Sequence, residues 1–67
     1  MLTGTLKWFN PTKGYGFIVP DKAGPDVFLH ASEVERAGLK LVGGEKLHYD
    51  VAVARKGQHA VKIRFPS

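Results

Sequence analysis

The sequence has no cysteine among its 67 residues. That excludes a disulfide framework and any zinc site built on thiolates. It also has no run of about 18 apolar residues, the length a helix needs to span a bilayer. Residues 1–5 carry neither the basic start nor the apolar stretch of a secretory signal, so the expected location is the cytoplasm. Repeats and low-complexity tracts are absent. Acidic residues are scarce: six Asp or Glu stand against ten Lys or Arg, a formal charge of +4. This sign favours a polyanion, either nucleic acid or an acidic membrane surface, although a plain soluble protein with a modest positive bias has the same balance. A chain this short buries only about 60% of its unfolded surface. Its core must come from the 43% of residues that are hydrophobic, in one domain over residues 1–67.

Reactive constellations are missing too. His30, His48 and His59 lie far apart and form no metal-ligand spacing. Ser32 lacks a His and Asp arrangement and reads as a helix cap instead of a nucleophile. The glycines of residues 13–16 lack the spacing and the following helix of a phosphate-binding loop. These absences predict a protein that is not an enzyme and needs no cofactor, metal or small-molecule substrate.

What is present is an aromatic rhythm. In residues 13–18 (KGYGFI), Tyr15 and Phe17 are two apart, so in a strand they emerge on one face. In residues 27–30 (VFLH), Phe28 and His30 point one way while Val27 and Leu29 point the other. If Ile18, Val27 and Leu29 face a core, then Phe17, Phe28 and His30 face outward. Lys7, Lys13 and His30 suit a wet, anion-facing surface better than an interior. Rings and cations interleaved on one surface describe a platform for unpaired bases. Trp8 and Phe9 are adjacent, so a regular strand exposes only one of them unless a bulge intervenes.

The chain reads as short strands between turn signals. Strands are expected over residues 4–10, 15–19, 26–30, 46–54 and 59–65. Residues 10–14 (NPTKG) make a turn that joins the first two into a hairpin. Ser32 and Glu35 have capping-box spacing and Gly38 suits a helix stop, so residues 33–37 are expected to form one short helical turn of 3₁₀ type. Leu47, Tyr49, Val51 and Val53 share a face, and Val61 and Ile63 are in phase on the last strand. Five strands with almost no helix point to a small closed barrel, because closure removes exposed edges.

Three blocks carry a family resemblance that covers nearly the whole chain. Residues 4–10 (GTLKWFN), 13–18 (KGYGFI) and 26–30 (DVFLH) resemble, in that order, the first strand and the two ribonucleoprotein motifs of bacterial cold-shock proteins. RNA-recognition-motif domains use a similar string, but with the two motifs reversed and with helices between the strands. The resemblance implies an all-β fold, a five-stranded antiparallel OB-fold barrel with one short helical turn. It also implies a binder of single-stranded RNA or DNA that serves as an RNA chaperone or regulator in the cold-shock response. Small OB barrels are usually monomers, and a strand-exchanged dimer through the loop at residues 39–44 is the alternative. By position the resemblance assigns stacking to Trp8, Tyr15, Phe17, Phe28 and His30, with Phe9 contributing. Polar and phosphate contacts fall on Lys7, Asn10, Lys13 and Asp26, and a basic position in the last hairpin falls on Lys56. Asp26 either accepts a hydrogen bond from a base edge or is a turn residue after Pro25. Three departures stand out: Ala31 and Leu39 occupy positions where the family usually has aromatics, and Gln58 stands where a proline is common. The rival readings are a peptide-binding barrel of SH3-like type, a small hydrolase or nuclease, and a ribosome-associated barrel that prefers structured RNA.

Overall fold

The computed structural model describes residues 2–55 and 57–66. Five strands occur in the order β1 (Leu2–Asn10), β2 (Tyr15–Pro20), β3 (Val27–His30), β4 (Lys46–Ala54) and β5 (Gly57–Arg64), with α1 (Ala31–Ala37) after β3. They close into a barrel in the order β1-β2-β3-β5-β4. Four of the ladders are antiparallel; β3 meets β5 in parallel through Phe28 and His59. The barrel is therefore mixed at that one seam.

Alternation builds the core. Leu6, Ile18, Val27, Leu29, Leu47, Tyr49, Ala60 and Ile63 point inward from the five strands, and Val34 of α1 plugs against them. Gly16 is buried opposite Phe9, and it must be glycine. A Cβ there would lie 2.3 Å from the Trp8 carbonyl oxygen and 2.9 Å from the Phe9 Cα.

Two bulges break the alternation. In β1, Leu6 pairs with Ile18 and Trp8 with Phe17, so Lys7 is the extra residue. It turns Lys7 and Trp8 outward together and leaves Leu6 and Phe9 facing the core. In β5, the register slips between the His48–Arg64 and Asp50–Val61 pairs, and Lys62 adopts φ +52°. The core positions become Ala60 and Ile63, three apart, in place of the expected Val61 and Ile63. The shared face of β4 also ends early: Leu47 and Tyr49 are buried, but Val53, beyond the barrel wall, is exposed.

Residues 31–37 form an α-helix, a fuller element than the expected 3₁₀ turn over 33–37. Its N-cap is His30, whose imidazole accepts from the Ser32 amide, so Ser32 lies inside the first turn and is not the cap. The helix stops where the sequence indicates, at Gly38 with φ +71°. The Gly38 and Leu39 amides donate to the Glu35 and Val34 carbonyls. In that closure the residue after the glycine covers the last turn with an apolar side chain. Leu39 accordingly packs on the core.

Candidate nucleic-acid interface

Neighbouring strands bring the sequence-expected rings together. Phe17 sits between Trp8 of β1 and Phe28 of β3, and Tyr15 is opposite His30. Ring centroids are 5.4 Å apart for Trp8 and Phe17, 5.5 Å for Trp8 and Tyr15, and 5.8 Å for Phe17 and Phe28. Tyr15 and Phe28 lie 5.7 Å apart and nearly parallel, and Phe28 is 6.3 Å from His30. Most of these pairs are edge-to-face, an arrangement that ring quadrupoles favour. The edge contacts hold each ring in place and leave the outer surface of the patch open. Trp8 is 38% exposed, His30 is exposed, and Tyr15, Phe17 and Phe28 are half-buried. The Lys7 bulge is what makes this possible, since a regular β1 would not expose Lys7 and Trp8 in succession.

The bulge is held from behind. The Leu6 amide donates to the Glu45 carbonyl, and the Gly44 amide donates to the Leu6 carbonyl. The Glu45 carboxylate accepts from the Val42 and Gly43 amides at 2.7 and 2.6 Å. Partial desolvation raises its pKa. The amides of Val42, Gly43 and Glu45 together outweigh that and hold the carboxyl below its ordinary value. The loop after α1 is thus clamped against the strand that carries Trp8.

Not every expected site residue joins the patch. Phe9 turns inward and packs against the core, away from the rings. Asn10 is occupied locally: its side-chain oxygen accepts from the Thr12 and Lys13 amides at 3.0 and 3.1 Å, which shapes the β1–β2 turn. Lys13 is exposed on that turn. Lys7 pairs with Asp26 at 3.1 Å across the outer end of the platform. Both are well exposed, so the pair contributes little stability. The expectation for Lys56 falls outside the described residues. Ala31 borders the β1–β2 turn: its amide donates to the Gly14 carbonyl and its methyl lies toward Gly14. Leu39, on the core, adds no ring.

An open groove of about 910 Å³ extends the platform from Phe17, Phe28 and His30 to the β4–β5 hairpin. Its far wall includes Arg55, Gln58 and His59. The sequence pattern gave neither Arg55 nor His59 a site role. The signal was topological: His59 becomes a neighbour of Phe28 only through the parallel seam between β3 and β5. Among the described residues no group of three or more His, Cys, Asp or Glu could hold a metal ion. None of the described helices is long and apolar enough to cross a membrane.

Comparison with known proteins agrees with this geometry. The model of the 'Cold-shock' DNA-binding domain matches residues 2–66. The chain is 58% identical over 57 residues to the probable cold shock protein y4cH of Sinorhizobium fredii, covering 84% of this chain and 83% of that protein. It is 62% identical over 52 residues to cold shock protein CspA of Rhizobium meliloti, covering 76% and 75%. It is 45% identical over 65 residues to cold shock-like protein CspA of Bordetella pertussis, covering 96% and 97%.

Proposed function

This chain belongs to the cold-shock DNA-binding domain family, a nucleic-acid-binding family, and on that premise we propose that it binds single-stranded RNA or DNA by stacking bases on its exposed rings. The observation that carries the reading is the contiguous patch of Trp8, Tyr15, Phe17, Phe28 and His30 on one side of the barrel. A base in a duplex has both faces covered, so such a patch rewards only unpaired bases. Base–aromatic stacking is worth about 1–3 kcal/mol per base and tolerates any base, so sequence preference is mild. Lys7, Lys13 and Arg55 flank the patch and replace condensed counterions along the phosphates. Once its ion pair with Lys7 opens, Asp26 accepts from a base edge in this reading; the alternative is a turn residue after Pro25.

By gripping unpaired strands the protein draws structured RNA toward the open form by mass action. That is the action of an RNA chaperone, and it fits a role in transcription or translation during the cold-shock response. The chemistry requires no catalytic group and no cofactor. Closure gives each strand a neighbour on both sides and so reduces open edges, which favours a monomer; a cytoplasmic location and a single domain belong to the same proposal. Without rings at Ala31 and Leu39 fewer bases can stack, which predicts weaker binding, and with it a shifted base preference or a shorter footprint, than a fully aromatic surface gives.

Ring truncation tests the reading. Trp8→Ala, Phe17→Ala and Phe28→Ala should each weaken oligonucleotide binding by about 1–3 kcal/mol with the barrel still folded. Phe9→Ala should instead lower stability, because that ring is on the core. Folded ring variants that bind as tightly as the parent would contradict the assignment.

A further inference from the structure

His30 faces two tasks at once, and the geometry ties them together. Its backbone forms the N-cap of α1 with φ −89° and ψ 148°, and its ring lies at the end of the aromatic platform and lines the groove. The Ser32 amide donates to His30 Nδ1 at 3.0 Å. A backbone N–H can only donate, so Nδ1 must carry a lone pair and no proton. The Ser32 hydroxyl lies 2.9 Å from the same nitrogen, where it supplies a second donor to that lone pair. In a neutral imidazole the one ring proton then belongs to the other nitrogen.

We propose that the first turn of α1 locks His30 as its Nε2–H tautomer, so that His30 acts in the groove as a hydrogen-bond donor to an acceptor atom of a stacked base. Ser32 is the positioning residue: it commits Nδ1 and so decides which atom the ring offers to a ligand. The donor role rests on the nucleic-acid reading, whereas the tautomer does not. The acceptor is a base carbonyl or an unprotonated ring nitrogen, atoms that every base displays along its edges. His30 thus supplies a directed contact at the end of a platform on which Phe17 and Phe28 offer a ligand only apolar ring surface. His30 lines the groove with Phe28, Gln58 and His59, and its ring lies 6.3 Å from that of Phe28, so a base stacked on Phe28 would lie beside it.

The test is a two-bond proton–nitrogen correlation of the imidazoles in the intact protein, at a pH where they are neutral, first free and then saturated with a hexamer of deoxythymidine. In the free protein His30 should show protonated Nε2 and bare Nδ1. In the complex the Nε2–H proton should become protected from solvent exchange and shift downfield. A protonated Nδ1, or an averaged mixture of tautomers, would overturn the lock. A hexamer that binds while the Nε2–H stays exchanging and unshifted would overturn the donor role and leave the stacking reading standing. A hexamer that fails to bind at all would overturn the stacking reading and the donor role together, with the tautomer still decided by the free protein.

Discussion

Gly16→Ala tests how tightly the site and the barrel are bound together. The added methyl would sit 2.3 Å from the Trp8 carbonyl oxygen and 2.9 Å from the Phe9 Cα, both backbone atoms that no rotamer change can clear. Relief requires the Trp8 oxygen to retreat beyond 3.0 Å, which separates β1 from β2 where Trp8 faces Phe17. Overpacking a tight site costs about 1–3 kcal/mol, and each strained ladder hydrogen bond adds about 0.5–1.5 kcal/mol. The expected loss is about 2–4 kcal/mol. A domain of this length is stable by only about 3–10 kcal/mol, so the loss is a large share of the total. The assay is urea unfolding followed by circular dichroism and by fluorescence of Trp8, the one tryptophan. With a slope near 1 kcal/mol per molar urea, the midpoint should fall by about 2 M or more. A drop smaller than about 0.5 M, on the same scale, would refute the close approach of the two strands.

Three other perturbations bear on the bulges, the clamp and the groove. Lys62 holds φ +52° with an exposed side chain. A left-handed conformation costs an L-residue about 1–2 kcal/mol. Lys62→Gly removes that at an entropic cost of about 0.5–1 kcal/mol, so it should raise the melting temperature or leave it unchanged; a clear fall would count against the bulge. Glu45 has a folded pKa below its unfolded value. Its stabilisation is therefore complete above the ordinary carboxylate pKa of about 4.3 and is lost as pH falls below that toward the depressed folded value. Glu45→Gln should lower stability by about 1 kcal/mol at neutral pH and reduce the parent's urea-midpoint change between pH 6 and pH 3; an equally steep profile would remove Glu45 from that role. Arg55→Gln should reduce the salt dependence of oligonucleotide affinity, by about 0.7 in logarithmic slope if Arg55 meets one phosphate; an unchanged slope would place Arg55 outside the ligand path.

Most of the barrel was legible because its signals are local and have period two. The alternation through residues 15–18 and 27–30 fixed which side chains face the core, and turn residues marked the hairpins. The bulges were not legible in that way. Lys7 and Lys62 are ordinary lysines with no glycine to announce the irregularity, and only cross-strand register reveals them. Phe9 was ambiguous for the same reason: its side depends on the extra residue at Lys7. Capping-box spacing pointed to Ser32, but the cap is His30, two residues earlier, whose imidazole accepts from the Ser32 amide. Arg55 and His59 lie about 25 or more residues along the chain from Phe28 and become groove residues only through closure. Sequence spacing does not encode that juxtaposition; strand order does.

The measurement closest to the central claim is a fluorescence titration of Trp8 with a short single-stranded oligonucleotide, its duplex serving as competitor. Stacking of a base on the indole should give saturable quenching that the duplex fails to reproduce and that Phe17→Ala weakens. Unchanged emission at saturating oligonucleotide, or equal quenching by duplex and single strand, would contradict recognition of unpaired bases by this platform.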